Sequence, residues 1–550
     1  MTKYLPGMTM GRWGMHLDRT QTWWHLVGGW FRYQARCQWM LQEGMFVADA
    51  LYWNGEEVPK HGWPKVDLPS GYGFDVCATK VVEQLKVKNG KVVVPGGVAY
   101  EILVLPDGDT MSERMVKRVG ELVDAGARVV APRRPVRAPG LGRARTPVAQ
   151  TASVQQQDGA AQTASVRQQD GRAVAPRPPS YRDLVDSVWS KGVMECSPTE
   201  ALRRLGVVPD FACDLKDVDW IHRTGRARSP SAPPYADWYF VACGNATNVS
   251  FEASFRIAGK VPEIWNAETG EIRDAATWRV EGGRTVVRLD FPPSGSAFVV
   301  FRRAGDLDNR DGRDLRDNRL SRSSRLSRSS RGVIGIPGPW QVSFPIDWYT
   351  GGNAVKTFDW SALKDWTSDA DPDVKYFSGT ATYRKRFALS PPPVWHSPRD
   401  RRIFLDLGTV KDFAEVKVNG KSYPPLWRPP FRIDITDAVK TASVQQQDEA
   451  VAPRPLLALD LEIRITNLWP NRLIGDEALY PPDCEWALRW HGWQKLNEPG
   501  IKEIPQWVKD GKPSPTGRHT FTTWKHWTKD DALLPSGLLG PVVVESRLRP

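Results

Sequence analysis

Residues 100–132 constrain the fold of this chain more than any other stretch. "YEILVLP" and "ARVVAP" have the composition of strands, and "TMSERMVKRVGELVDAG" between them has the pattern of a helix. The helix carries one apolar stripe and two end signals: Met111, Met115, Val119 and Leu122 in the stripe, a capping box at Thr110 and Glu113, and a left-handed cap at Gly126. Strand–helix–strand at this spacing predicts a parallel sheet.

The remainder of the chain has the pattern of all-β domains. Residues 237–303 contain short strand-like runs such as "DWYFVAC" and "SAFVVFRR", separated by Gly, Asn and Pro. Residues 333–478 continue the pattern with "GTATYRKRFAL", "FAEVKVNGK" and "LEIRITNLW". Asn419-Gly420 is a hairpin signal. This alternation is most simply a β-sandwich.

Short repeats mark three segments that are too polar to bury apolar surface. "TASVQQQD" occurs at 151–158 and at 441–448, "TASVRQQD" at 163–170, and "RLSRSS" twice at 319–330. We therefore predict that residues 133–178, 304–332 and 441–455 lack secondary structure. The third of these segments falls between two strand-like runs, "FRIDITDAVK" and "LLALDLEIRITN", and is therefore predicted to be an insertion into a strand connection. Such an insertion costs little, because closure entropy grows slowly with loop length.

The net charge of +12 does not indicate a nucleic-acid-binding fold. Residues 133–150 hold five Arg and no acid, and residues 301–331 hold ten Arg and five Asp. These two segments contribute +5 each, so the rest of the chain is nearly neutral. Loose attraction of these segments to polyanions stays an alternative.

The six Cys contain no CxxC pair, which argues against a zinc site or a disulfide framework. No apolar run reaches membrane-spanning length, and the first residues lack the apolar core of a signal peptide.

The stretch "GMHLDRTQTWWHLVGGWFRYQARCQWMLQEG" at residues 14–44 predicts one βα unit. An amphipathic helix is expected from Trp23 to Leu41. His16, Asp18 and Arg19 fall at the carboxyl end of the preceding strand, where βα barrels place their chemistry. The alternative is that Asp18 and Arg19 form a loop ion pair and that Trp23 and Trp24 pack.

Several motifs that follow one another along the chain resemble those of a known family. They include "GMHLDRTQTWW", "FVADALYWNGEEVP", "LPSGYGFDVC", "VPEIWNAETGEI", "VKYFSGTATYRKRF", "RITNLWPNRLIGDE" and "FTTWKHWTKDDALLPSGLLGPV". Together they resemble glycoside hydrolase family 106, the bacterial α-L-rhamnosidases. The resemblance implies a multidomain chain, α/β plus all-β. It would begin at the last βα unit of a (β/α)8 barrel. An amidotransferase-like or flavodoxin-like parallel α/β domain and galactose-binding-like β-sandwich domains would follow.

The expected domain map follows this order. Residues 1–45 form the residual βα unit, 46–132 the α/β domain and 133–178 a linker. Residues 179–303 hold the rest of the α/β region and a first β domain, and 304–332 a second linker. A sugar-binding-like sandwich at 333–478 carries the insertion 441–455, and 479–550 is an extension that packs on it. We expect most of the catalytic barrel to be missing, and the first 45 residues to dock on the α/β domain or to promote self-association.

The resemblance also implies an inverting hydrolase of rhamnose-bearing oligo- or polysaccharides, with calcium as a possible cofactor and a periplasmic or secreted location. Inversion requires two carboxyl groups. Glu56 in "LYWNGEEVP" matches the family's Gly-Glu pair and is predicted to be one of them, with a solvated loop acid as the alternative. Glu57 stands where the family has Asp. His16, Asp18, Arg19, Trp23, Trp24 and Glu57 are predicted to bind substrate.

Other functions stay open on the residues alone. With most of the barrel missing, the chain alone is expected to be weakly active or inactive. A non-catalytic carbohydrate-binding or scaffold protein built from the accessory domains is the main alternative. Cys77 has Val76 and Ala78 as neighbours in place of the Gly that an amidotransferase nucleophile needs, so we predict no working thiol there. Trp427, Arg428, Trp469, Asn471 and Arg472 suit sugar contacts, but Trp and Pro at strand ends more often pack.

Overall fold

The chain forms two compact units in its computed structural model. The structure describes residues 7–8, 17, 19–57, 66–139, 180–225, 236–302, 332–348, 352–389, 401–447, 457–491 and 494–548. The first unit comprises residues 1–38, 267–270 and 314–550. The second unit comprises residues 39–266 and 271–313.

Helices are short in both units. They are α1 Gly28–Gln42, α2 Thr79–Gln84, α3 Glu113–Asp124, α4 Tyr181–Trp189, α5 Pro198–Arg204, α6 Pro372–Lys375, α7 Thr436–Gln447, α8 Pro470–Leu479 and α9 Gln506–Asp510. Across the described residues, no helix is long and apolar enough to cross a membrane.

Strands make up most of the regular structure. The first eighteen are β1 Gly7–Met8, β2 Met45–Phe46, β3 Ala50–Trp53, β4 Phe74–Cys77, β5 Lys86–Lys88, β6 Lys91–Val93, β7 Ala99–Tyr100, β8 Ile102–Val104, β9 Val129–Val130, β10 Phe211–Cys213, β11 Val218–Gly225, β12 Ala236–Cys243, β13 Val249–Phe255, β14 Val261–Trp265, β15 Ile272–Asp274, β16 Trp278–Glu281, β17 Arg284–Phe291 and β18 Ser296–Arg302. The others are β19 Gly332–Gly335, β20 Trp340–Pro345, β21 Val355–Trp360, β22 Thr380–Leu389, β23 Arg401–Asp406, β24 Thr409–Lys411, β25 Phe413–Val418, β26 Lys421–Ser422, β27 Arg432–Asp434, β28 Leu457–Thr466, β29 Trp486–His491, β30 Gln494–Ile501, β31 Phe521–Thr522, β32 Gly537–Gly540 and β33 Val543–Leu548.

The predicted parallel sheet lies in the second unit. Its order is β4-β3-β8-β9, and each neighbouring pair is parallel. Alternate residues face opposite sides, so Leu51 and Leu103 pack with α3 and α4, whereas Ala50 and Ile102 pack with α5. Both faces are therefore covered, as parallel sheets require.

Helix α3 begins two residues later than the predicted capping box requires. Its N-cap is Ser112, whose Oγ accepts a hydrogen bond from the N–H of Met115 at 3.3 Å. Thr110 is held in a parallel bridge with Arg137, so it is extended and cannot cap the helix. The predicted box at Thr110 and Glu113 is therefore wrong. The predicted cap at Gly126 is confirmed, since its φ is 92° and its N–H donates to the Val123 carbonyl at 2.8 Å.

The second unit also contains an all-β region. Sheet β10-β13-β17-β16 and sheet β15-β14-β18-β12-β11-β2 are both antiparallel. Residues from both sheets share one apolar core that includes Tyr239, Phe255, Val287 and Phe301. This arrangement is the two-layer packing expected for short alternating strands.

The first unit is a β-sandwich with a six-stranded sheet and a four-stranded sheet. Their orders are β21-β20-β22-β28-β25-β26 and β19-β33-β23-β27. On the six-stranded sheet the inner residues are apolar and buried, for example Val342, Tyr383, Val416 and Ile463. The residues between them are polar and point away from this core, which leaves the sheet a polar outer face. The predicted hairpin at Asn419-Gly420 joins β25 to β26, and both residues have positive φ.

Each of the three segments that we predict to be irregular contains residues that the structure describes as ordered. Residues 441–447 extend α7, because Ala and Gln are good helix formers and Ala438 and Val439 anchor the helix in the core. Residues 133–139 are held by contacts such as Arg134 to Asp186 at 2.7 Å. Gly332 already belongs to β19. The predictions for 140–178, 304–331 and 448–455 fall outside the described residues.

The predicted helix of the opening segment begins later than expected. A 3-10 turn spans Trp24–Leu26, and α1 starts at Gly28 rather than at Trp23. Apart from Leu17, the strand predicted before it lies outside the described residues. The expected docking of the first 45 residues on the α/β domain, or their self-association, stays a prediction. Residues 19–38 belong to the first unit, with the β-sandwich. The physical reason is the set of hydrogen bonds and ring contacts that this segment makes with the sandwich.

Candidate carbohydrate-binding cleft

An open cleft of about 990 Å³ lies on the polar outer face of the six-stranded sheet in the first unit. Strands β20, β21, β22 and β28 contribute alternate residues to it, among them Ser343, Thr357, Thr382 and Arg464. The cross-strand register places Ser343 opposite Thr382, and Thr382 opposite Arg464. The cleft floor is therefore a row of hydroxyl and guanidinium groups fixed by the sheet.

The segment 19–25 forms one wall of this cleft. Three contacts hold it on the sandwich. Thr22 Oγ1 donates to the Asn467 carbonyl at 2.5 Å, and Trp469 Nε1 donates to the Thr20 carbonyl at 2.9 Å. The Trp23 ring stacks on Phe413 with centroids 5.8 Å apart. Because these anchors are buried, the wall is held in place.

Two tryptophans line the cleft and differ in exposure. Trp24 is 37 % exposed at the wall. Trp348 is half-buried, stacks on Trp469 at 5.6 Å, and donates from Nε1 to the Ser378 carbonyl at 3.1 Å. Gly379 lies against the Trp348 ring, and a Cβ there would come within 2.6 Å of the indole nitrogen. Only Gly therefore allows this close approach.

Carboxylates are absent from the described residues that line the cleft. Its ionisable groups are Arg19, His25, Arg384 and Arg464. Glu415 lies beside the cleft and pairs with Arg464 at 3.1 Å. Such a surface can donate hydrogen bonds to hydroxyl groups and anions, but it does not contain the pair of carboxyl groups that inverting hydrolysis needs.

Arg19 and Trp24, both predicted to bind substrate, line this cleft together. Trp23 is buried, 5 % exposed, and its ring serves packing on Phe413, which favours the packing interpretation for this residue. His16 and Asp18 lie outside the described residues. Their predicted roles, like those of the other site residues, stay predictions.

Glu56 belongs to the second unit and does not line the cleft. Its two carboxylate oxygens accept hydrogen bonds from the N–H of Ser112 at 2.8 Å and from the Ser112 hydroxyl at 2.7 Å. It thus places a negative charge at the first turn of α3, where the helix dipole favours an anion. Glu57 is exposed beside it.

We expect Glu56→Ala to lower the free energy of unfolding of the second unit by about 1–2 kcal/mol, because the start of α3 loses its anionic partner. Chemical denaturation measures the change. Glu57→Ala is the matched control and is expected to change stability by less than about 0.5 kcal/mol. Equal stability of Glu56→Ala and the parent protein would contradict the capping role.

Cys77 lies at the end of β4 and is 7 % exposed. Burial, and then the nearby carboxylate of Asp75, raise the pKa of its thiol to about 12. A thiol with so high a pKa is almost fully protonated at neutral pH and is a poor nucleophile. This agrees with the absence of a Gly-flanked elbow in the sequence and favours a structural role for Cys77.

The described residues do not offer a calcium site. None of their His, Cys, Asp and Glu side chains come together in a group of three or more that could hold a metal ion. Calcium requires several oxygen ligands, usually with carboxylates among them. The calcium that the family resemblance implies therefore finds no such group of side chains among these residues.

Residues of the motif "NLWPNRLIGDE" that could contact sugar are buried in the first unit. Trp469, Asn471 and Arg472 are each 1 % exposed. Arg428 pairs with Glu268. This burial favours the packing interpretation over sugar contact for Trp469, Asn471 and Arg472.

Several cleft residues were not identified from the sequence, among them Arg384, Arg464, Trp348 and Thr382. The available signal was the polar half of the alternation in "TATYRKRF" and "LEIRIT". Such residues usually form an ordinary solvated face, so alternation alone does not distinguish a binding surface.

A sheet face with hydroxyls, arginines and flanking tryptophans offers groups that can contact a carbohydrate. The family model for α-L-rhamnosidases, glycoside hydrolase family 106, matches residues 1–279. The chain belongs to this family.

The chain is also similar to a protein of known structure and to a curated protein. A rhamnosidase of known structure from Novosphingobium sp. PP1Y is 27 % identical, with a TM-score of 0.67 over 100 % of this chain and 43 % of the other. A curated protein of Formosa agariphila, described as a putative β-glucuronidase, is 24 % identical over 98 % of this chain and 58 % of its own length. The chain thus spans about half the length of these relatives.

Proposed function

We propose that this chain takes part in the hydrolysis of α-L-rhamnosides, and that its first unit binds the rhamnose-bearing glycan in the sheet-face cleft. The observation that carries the proposal is the cleft itself. In a chain of the rhamnosidase family, it combines two tryptophan rings with a floor of hydroxyl and guanidinium donors. Sugars offer a weakly polar ring face for the tryptophans and hydroxyl groups for the floor.

The names of the relatives point to two different glycosyl groups. One is called a rhamnosidase and the other a putative β-glucuronidase. The family model favours the rhamnoside, because its description is α-L-rhamnosidase and it covers residues 1–279.

Hydrolysis requires groups that the cleft does not contain. An inverting mechanism uses one carboxyl group as acid and another as base for water. Glu56 is our proposed member of that pair, and the second member is unassigned. Because no carboxylate is among the described residues that line the cleft, we propose that residues 1–550 alone bind the glycan and hydrolyse it weakly.

Calorimetric titration with an α-L-rhamnosyl oligosaccharide tests the binding proposal. Trp24→Ala should weaken binding roughly twofold to twelvefold, through loss of a stacking ring worth about 0.5–1.5 kcal/mol. Trp278→Ala is the matched control, because Trp278 is 38 % exposed on β16 of the second unit and Trp24 is 37 % exposed. Equal affinity of Trp24→Ala and the parent chain would refute binding in this cleft.

Release of rhamnose from the same oligosaccharide tests the catalytic proposal. The expected result is slow turnover by residues 1–550. Fast turnover would show that the carboxyl pair lies within this chain. Binding without any turnover, even in a longer protein that includes these residues, would favour the alternative of a non-catalytic carbohydrate-binding protein.

A further inference from the structure

Strand β16 is the last strand of its sheet among the residues that the structure describes. The sheet order is β10-β13-β17-β16, so β16 has a neighbour on one side only. The carbonyl of Thr277, just before β16, accepts a hydrogen bond from the N–H of Arg288 on β17 at 3.1 Å. Because backbone groups alternate in direction along a strand, Trp278 and Val280 point their N–H and C=O groups away from β17. This outer edge can therefore pair with another strand.

The outer edge of β16 lacks the features that usually protect an edge strand. Lysines, prolines or bulges commonly prevent such an edge from pairing, and "WRVE" at 278–281 contains none of them. Trp278 is 38 % exposed and Val280 is 54 % exposed, and the two lie on the same face of the strand. Ile272 on β15, the edge strand of the other sheet, is exposed as well. Covering Trp278 and Val280 removes apolar surface from water, which favours association.

The residue pattern of β16 is complementary to itself in one antiparallel register. A two-fold axis through Val280 places Arg279 opposite the partner's Glu281, and Glu281 opposite the partner's Arg279. It also places Trp278 opposite the partner's Gly282, where an added Cβ would meet nothing within 4 Å. Opposite charges facing each other across antiparallel strands are favourable, and so is an aromatic ring over a glycine. Moving the axis by one residue, to Arg279 or to Glu281, would instead bring two like charges together.

Arg279 and Glu281 keep hydrogen-bonding capacity for a partner. Arg279 binds Glu252 through Nη1 at 2.6 Å and Nη2 at 2.9 Å, and it contacts Glu281 Oε2 through Nε at 3.1 Å. These bonds use three of the five N–H donors of the guanidinium and one oxygen of the Glu281 carboxylate. Both side chains remain exposed. Glu252 thus holds the guanidinium in place beside the open edge without saturating it.

We propose that β16 pairs antiparallel with β16 of a second copy of this chain, about a two-fold axis through Val280. The four-stranded sheets of the two copies then join into one continuous sheet across a symmetric dimer. Two-fold dimers are the commonest protein oligomers, and their interfaces are self-complementary in this way. Because the paired strand is short, the interface is small and the dimer is weak. The inference is independent of glycan binding, since β16 belongs to the second unit and the cleft to the first.

Sedimentation equilibrium of residues 1–550 tests whether the dimer forms. The protein concentration should run from about 1 μM to about 200 μM, because a small interface is expected to be weak. The average mass should rise toward that of two chains as the concentration increases. Val280→Lys places two ammonium groups at the axis and should raise the dimer Kd at least roughly tenfold. A protein that stays monomeric over the whole range, or that forms larger assemblies without a dimer, would overturn the inference.

Charge reversal on β16 tests the register and guards against unfolding as an explanation. Arg279→Glu and Glu281→Arg each bring like charges together, so each should raise the dimer Kd roughly tenfold. An equimolar mixture of these two variants should form a mixed dimer as tightly as the parent chain, because every facing pair is then of opposite charge. A misfolded variant would not be rescued by mixing.

Arg182→Glu is the matched control, because Arg182 lies on α4, is 90 % exposed and undergoes the same change of charge. Its dimer Kd should equal that of the parent chain. Single β16 variants that dimerise as tightly as the parent would overturn the proposed interface. Failure of the mixture to dimerise, where the parent chain does, would overturn the register.

Discussion

Replacing Asp476 with Ala is expected to lower the free energy of unfolding of the first unit by about 3–5 kcal/mol. Asp476 and Arg472 are each 1 % exposed and pair at 3.2 Å within α8. The other carboxylate oxygen accepts hydrogen bonds from the N–H of His519 at 3.1 Å, and from the N–H and hydroxyl of Thr520 at 2.7 and 2.6 Å. Removal of the carboxylate leaves a buried guanidinium and these donors without their partner.

Thermal unfolding measures this effect. A loss of 3–5 kcal/mol corresponds to roughly 6–20 °C in the Tm of the first unit. Glu485→Ala is the control, because Glu485 forms an exposed pair with Lys502 at 2.7 Å that solvent screens. A loss for Asp476→Ala no larger than that for Glu485→Ala would contradict the structural role of the α8 pair.

Replacing His222 with Phe is expected to destabilise the second unit by about 3–5 kcal/mol below pH 6.5. His222 is 4 % exposed. Its Nδ1 lies 2.7 Å from Asp210, and its Nε2 lies 3.4 Å from Asp237. Phe keeps the ring that stacks on Tyr239 at 4.0 Å but removes the charge between the two carboxylates.

The pH dependence of this effect follows from the pKa of His222. Burial lowers the pKa, but hydrogen bonds and charge attraction from Asp210 and Asp237 outweigh burial, so the pKa is raised above 6.5. The folded protein then holds this proton at a pH where the unfolded chain has lost it. The contribution of protonated His222 to stability is therefore complete below pH 6.5, and it is lost as pH rises through the pKa of His222 in the folded protein.

Other charges around His222 determine how far into acidic pH this stabilisation persists. Lys260 pairs with Asp237, and Arg256 lies 3.5 Å from Asp210 and 2.7 Å from Asp49. Burial raises the pKa of Asp237, but its hydrogen bonds from His222 and Lys260 outweigh burial and lower it to about 2. Asp237 therefore stays charged through mildly acidic pH.

Denaturation of the parent and His222→Phe proteins between pH 5 and pH 9 tests whether buried His222 is protonated. The difference in unfolding free energy should be largest near pH 5 and should shrink above pH 6.5. His222→Gln separates charge from hydrogen bonding, because Gln keeps an N–H donor without the charge. A difference that grows with pH would contradict a protonated His222.

The sequence predicts the local elements well where neighbours along the chain decide them. The parallel sheet around β8 and β9, the cap at Gly126 and the hairpin at Asn419-Gly420 all depend on residues a few positions apart. The prediction for residues 441–447, the TASVQQQ stretch, is wrong. The start of α7 is anchored in the core, and the helix continues into this polar stretch, which composition alone does not indicate.

The candidate site is harder to predict because its residues are far apart in the chain. Thr22 meets Asn467 across 445 positions, and Arg384 meets Glu462 across 78. Arg19 and Trp24 were identified from a motif, whereas Arg384 and Arg464 belong to an alternation that any solvated sheet face shows. Their assembly with Trp348 into one cleft depends on strand order and register, which no short motif contains.

Calorimetric titration of residues 1–550 with one oligosaccharide, with and without its terminal α-L-rhamnose, measures rhamnose recognition by the cleft most directly. We expect removal of the rhamnose to weaken binding to the parent chain, and this difference in affinity to be smaller in Trp24→Ala. Equal affinity for the two oligosaccharides in the parent chain would contradict rhamnose recognition by the sheet-face cleft.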